Sequence, residues 1–144
     1  FNSIPFVDCF LETNYTRDEM KMVWETHKIL DENISVNPTA VRVPVLVGHA
    51  ESIYIETEKE IDIELAKNCL NEFAGISVID NVQEVDFPTS FEHGHGTDDV
   101  YVGRIRKGLS KNNSLNLWVV ADNVRKGAAL NSIQIAENLV GSEM

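Results

Sequence analysis

Apolar and polar positions along this chain change period several times, and each change marks an expected element. The densest stretch is Thr39 to Glu56, TAVRVPVLVGHAESIYIE. There Val41, Val43, Val45 and Val47 alternate around Arg42, and past Gly48 and His49 a second alternating run passes through Ile53, Tyr54 and Ile55. β-Branched residues at period two predict strand, with the four valines on one face and Arg42 on the other. Pro44 cannot donate to a ladder and Gly48 permits a bulge or sharp bend, so the two halves are expected to meet at a turn.

A helical period appears twice more with its own boundaries. Thr16-Arg17-Asp18-Glu19 has the capping-box form, and Met20, Val23, Trp24, His27 and Leu30 follow as one stripe, which predicts a helix from residue 17 to Leu30 or Asp31. Asp62 to Phe73 predicts a second, with Ile63, Ala66, Leu70 and Phe73 on one side and Gly75 as its stop. Ile76 to Ile79 is a short strand, and residues 81 to 97 carry the least pattern. Asp99 to Arg106 and Ser114 to Ala121 are strands joined by a Gly/Lys/Asn loop, the second apolar enough to lie centrally. After Asp122-Asn123, a helix with Ala128, Ile133, Ile135, Ala136 and Leu139 on a stripe closes the chain. The pattern is that of an α+β domain, a mostly antiparallel sheet with helices packed on one face.

Composition narrows the function. With 144 residues the chain suits one domain, and 23 acidic against 12 basic side chains give a net charge of −11. That balance repels phosphate backbones and anionic bilayers, which argues against nucleic-acid or membrane-surface binding. No apolar run nears the length of a membrane span. Cys9 and Cys69 have neither redox nor zinc spacing, so a reducing, cytoplasmic setting is expected. FNSIPFVDCF is apolar and strand-like from residue one, the expectation being a chain cut within a larger protein.

Two residues in the densest stretch carry candidate chemistry. A permanently charged guanidinium and a ring that titrates near neutrality suit a site acting on a carboxylate substrate. Along an unbroken strand, the seven residues from Arg42 to His49 would separate them by roughly 23 Å on opposite faces, so a shared site requires the bend at Gly48. Periodicity equally allows an edge arginine that reaches water or pairs with a carboxylate. His27 lies on an apolar stripe, where a core histidine is the ordinary case. Asp18 with Lys21, and Lys21 with Glu25 and Lys28, have the spacing of solvated helical ion pairs. His93 and His95 could share a metal on a strand, but with no third ligand nearby a loop is expected and no metal site.

Several motifs in order resemble one family. IPFVD, TRDEMK, WETHKIL, VRVPVLVGHAES, VGRIR and LWVVADNVRKGAALNSIQIAENL are similar to the C-terminal portion of aspartate-β-semialdehyde dehydrogenase. The resemblance implies the C-terminal dimerisation domain of the glyceraldehyde-3-phosphate dehydrogenase-like fold, over residues 1–123, and a final helix over 124–144 that packs on an NADP-binding domain. It implies a homodimer or higher homo-oligomer, and an NADPH-dependent reductive dephosphorylation of β-aspartyl phosphate through a cysteine thioester, in the route to lysine, methionine and threonine. By position, His49 matches the general acid/base and Arg42 the arginine that grips the substrate carboxylate. Lys21 matches the phosphate-binding lysine, Asn123 a residue touching the nicotinamide cofactor, and Asp18 a position usually filled by a glutamate that contacts the substrate amine. Glu25 and Lys28 fit as scaffold.

The chain lacks a Gly-rich βα turn, and neither cysteine sits in the family's nucleophile motif. By itself it is therefore expected to be inactive. An N-acetyl-glutamyl-phosphate reductase-like portion shares this chemistry, and a non-catalytic dimerisation module is the alternative from another class.

Overall fold

In the computed structural model, residues 1–141 are described. The chain divides into two compact units, residues 1–44 and residue 45 onward.

In the first unit one helix, α1, spans Arg17–Ile29. Thr16 caps it with both halves of the expected capping box in place, so two of the otherwise unpaired amides at this end are satisfied. The helix stops one residue short of the expectation, with Leu30 as its C-cap. Of the apolar stripe, Met20, Val23 and His27 are half-buried, while Trp24 and Leu30 stay exposed. His27 is fastened by its Nε2 to the carbonyl of Ile34 at 2.8 Å.

The long strand expected over 39–47 does not form. Within it only Arg42 pairs, in an isolated antiparallel bridge to Ile4, and the apolar start of the chain likewise contributes bridges at Ile4 and Phe10 rather than a strand. Alternation alone supplies no partner, and Pro44 removes a donor from the run. Val41, Val43 and Val45 accordingly remain exposed.

The second unit is built on a four-stranded sheet. Its strands are β1 (His49–Glu56), β2 (Ile76–Val78), β3 (Val100–Lys107) and β4 (Ser114–Ala121), in the order β1-β4-β3-β2. β4 is interior, as its continuous apolar character predicts, and antiparallel to both neighbours; the short β2 joins β3 in parallel. Helix α2 (Ile63–Glu72), capped by Asp62 and followed by Gly75 at φ +84°, packs on β2 and β3. Val102, Ile105, Leu115 and Leu117 form the buried cluster between them, with Ile63 and Leu70 from α2 and Ile53 from β1 against it.

Past β4 the chain does not enter an α-helix directly. A π-helical turn, Arg125–Ala129, precedes α3 (Leu130–Gly141), whose Ile133, Ile135 and Leu139 are exposed. The last three residues of the helix expected over 124–144 lie outside the described residues.

Candidate functional site

The first unit gathers three of the candidate residues around the start of α1. Glu19 organises them. Its Oε2 accepts the Thr16 amide at 2.8 Å, while its Oε1 accepts the amide of Ala40 at 2.9 Å. One buried carboxylate thereby ties the helix start to the segment carrying Arg42. The Thr16 amide first and the Ala40 amide second hold the Glu19 carboxyl below its ordinary value, because both bond the charged form. Asp18, the neighbouring acid, is thus left to face outward, and it pairs with Lys21 at 3.0 Å. The hydrogen bond to Asp18 raises the Lys21 ammonium above its usual value. Arg42 is exposed, its backbone doubly bonded to Ile4 at 2.8 Å in each direction, and among the described residues its guanidinium closes no ion pair. Of the two ordinary roles open to an edge arginine, pairing with a carboxylate is not taken here.

The second unit brings His49 and Asn123 to one end of the sheet. Gly48 has φ +89°, a conformation that side chains rarely adopt, and its amide donates to Asn123 Oδ1 at 3.0 Å. The expected turn before His49 is therefore present. His49 opens β1 directly opposite Ala121, two residues before Asn123, and its ring makes no hydrogen bond among the described residues. No space exists for a side chain at residue 48, since a Cβ there would strike the carbonyl oxygen of Gly94.

Asp122 fixes this corner. It is 3% exposed, accepts the amides of Val124 and Arg125 on Oδ1 at 2.8 and 2.9 Å, and accepts the amide of Gly96 on Oδ2 at 2.8 Å. Those bonds, the Arg125 amide first, keep its carboxyl below the ordinary value despite burial. The loop of His93 to Gly96 is thereby held against the turn that presents His49. His93 is committed to that loop: its Nδ1 accepts the Thr89 amide at 3.2 Å and its ring sits 5.0 Å from that of Tyr101. Among the described residues no cluster of three or more His, Cys, Asp or Glu is placed to hold a metal.

Asp122 and the Gly94–Gly96 loop do not stand out in the sequence as parts of the corner. The available signal was an acid directly after an apolar strand and before a helical turn, where its carboxylate meets unpaired amides. Arg42 belongs to the first unit and His49 to the second.

A histidine thus heads the edge strand β1, and a carboxamide lies just past the end of its neighbour β4. Residues 1–126 match the model of the family described as semialdehyde dehydrogenase, dimerisation domain, and the chain belongs to that family. The aspartate-semialdehyde dehydrogenase of Shewanella violacea is 55% identical over 141 residues, covering 97% of this chain and 41% of that protein. Aspartate semialdehyde dehydrogenase II of Vibrio cholerae in complex with ASA has a TM-score of 0.93 at 51% identity, covering 99% of this chain and 42% of the other. The aspartate semialdehyde dehydrogenase of Candida albicans with NADP has a TM-score of 0.76 at 25% identity, covering 96% and 44%. The chain spans about two fifths of the length of the curated relatives it matches. Among the described residues no helix is long and apolar enough to cross a membrane.

Proposed function

We propose that this chain supplies the dimerisation and substrate-handling part of a cytoplasmic, NADPH-dependent aspartate-semialdehyde dehydrogenase, acting on β-aspartyl phosphate. Residues 1–123 form that part as a homodimer or higher homo-oligomer, and the segment from residue 124 onward, with α3, packs on an NADP-binding domain. The observation that carries the reading is the turn at Gly48, locked to Asn123, which sets His49 at the head of β1 in a chain whose relatives bear this name.

In this reading His49 takes up and returns the proton of the attacking thiol, a role suited to an exposed ring that makes no hydrogen bond among the described residues. Arg42 presents a planar fork to the substrate carboxylate, and Glu19, by tying Ala40 to α1, orients the segment that carries it. Lys21 attracts the phosphate, which competes with the Asp18 carboxylate for its ammonium, while Asp18 takes the substrate amine. Asn123 fits the cofactor role: its Oδ1 is occupied by the Gly48 amide, which leaves two N–H donors for an acceptor on the nicotinamide. NADPH, when bound, supplies the hydride. In this reading the nucleophilic cysteine comes from outside these residues, for neither Cys9 nor Cys69 sits in the family's nucleophile motif.

The test is a graft. This chain replaces the matching segment of the Shewanella violacea relative, and oxidation of aspartate semialdehyde is followed with NADP and phosphate. Turnover within about tenfold of the parent is expected from the graft and none from the chain by itself. A folded, dimeric graft without turnover would leave the non-catalytic module as the better reading.

A further inference from the structure

The second unit carries a paired-arginine feature that the proposed substrate site does not use. Ser52 and Gly103 both lie opposite Trp118 in the sheet, so the three form one row across β1, β4 and β3. Immediately beyond Gly103 the pairing of β3 slips, and regular register resumes at Arg106, opposite Asn116. The slip has a division of labour. Ile105 turns into the core at 5% exposed, while Arg104 takes φ +55°, in the left-handed region where a side chain is uncommon.

What the unusual backbone achieves is placement of two guanidinium groups. That of Arg104 lies 5.2 Å over the ring of Phe87, and Arg106 Nη1 donates to the Arg104 carbonyl at 2.6 Å. Both line a cavity of about 280 Å³ together with Ser52, Phe87, Leu117 and Trp118. A ring beneath a guanidinium engages its face and leaves the in-plane N–H donors unpaired. In a chain with 23 acidic and 12 basic side chains, neither arginine closes an ion pair among the described residues. Two fixed cationic forks beside a hydroxyl, in a cavity below the roughly 300–1,000 Å³ of sites for drug-sized ligands, suit a small oxyanion.

We propose that Arg104 and Arg106 form a binding site for a small free oxyanion of the phosphate class. A left-handed arginine persists only where its surroundings hold it, here through the Phe87 ring under Arg104 and the Arg106 bond to its carbonyl.

The cavity has its own reporter, because Trp118 lines it and Trp24 is the chain's other tryptophan. In a Trp24→Phe background, inorganic phosphate is titrated at constant ionic strength while Trp118 fluorescence and sedimentation velocity are recorded. A saturable fluorescence change is expected, with half-saturation raised at least tenfold by Arg104→Gly and by Arg106→Gln. Glycine suits φ +55°, so Arg104→Gly should keep or raise the urea midpoint, which separates lost binding from lost folding. A fluorescence response without change in sedimentation identifies the free anion. Self-association weakened at least tenfold by both variants and by phosphate would instead assign the two arginines to a contact between copies and overturn the proposal. It is overturned as well if phosphate gives no saturable response, or if neither variant alters that response.

Discussion

The amide of Gly48 donates to Oδ1 of Asn123 at 3.0 Å, joining two points 75 residues apart in the chain. This bond couples the turn that presents His49 to the end of the central strand, where no ladder pairing continues beyond Ala121. Removing the acceptor with Asn123→Ala should leave a half-buried donor unsatisfied and lower stability by about 1–3 kcal/mol. Asn123→Asp keeps the acceptor, so its urea midpoint should stay close to that of the parent. In the grafted enzyme the same substitution removes the N–H donors and should raise the KM for NADPH. Equal destabilisation by both variants would show that the bond is not what holds the turn.

Gly48 and Gly75 form an internal control. Both have strongly positive φ, +89° and +84°, but a Cβ at residue 75 meets nothing within 4 Å whereas one at residue 48 meets the backbone of Gly94. Gly75→Ala should therefore cost only the left-handed conformation, about 1–2 kcal/mol. Gly48→Ala carries that cost plus the displacement of the 93–96 loop, and should be the more destabilising by at least about 1 kcal/mol. Denaturant midpoints of the two variants measure the difference; equality would mean that the loop yields freely.

Acid should weaken both units. Glu19 and Asp122 titrate below their ordinary values of 4.5 and 3.8 in the folded chain. The unfolded chain then binds more protons in this range, so the stability these groups contribute is complete above the ordinary values and lost as pH falls through the folded ones. Urea midpoints should fall between about pH 5 and pH 2, and less steeply in Glu19→Gln combined with Asp122→Asn. An unchanged slope in that double variant would place the acid sensitivity elsewhere.

The helix cap offers a simpler check. Thr16 is 1% exposed, and its Oγ1 accepts the Glu19 amide at 3.2 Å. Thr16→Ala should lower stability by about 1 kcal/mol, with loss of helical signal at 222 nm before that of the sheet.

The parts of this architecture legible in the sequence were those governed by neighbouring residues. The capping box at Thr16 and Glu19, the stop at Gly75 and the interior position of β4 all follow from local pattern, and each is found. Residues 39–47 misled for a physical reason: β-branched alternation reports suitability for a pleated surface, and only Ile4 is present to pair with it. The π-helical turn at Arg125–Ala129 and the parallel pairing of β2 were invisible, since neither leaves a signature in residue spacing. For the site, residue types pointed to Arg42 and His49, whereas Asp18, Lys21 and Asn123 became candidates only through the family resemblance. The groups that hold those candidates in place act through main-chain amides. Glu19 reaches Ala40 across 21 residues and Asp122 reaches Gly96 across 26, contacts that only tertiary structure creates.

The most direct measurement is steady-state kinetics of the grafted enzyme carrying His49→Gln or Arg42→Lys. A proton-transfer role predicts that His49→Gln lowers kcat by about 10²- to 10⁴-fold with little change in KM. A bidentate grip predicts that Arg42→Lys raises the KM for aspartate semialdehyde at least about tenfold. Turnover and KM unchanged in both variants would contradict the account.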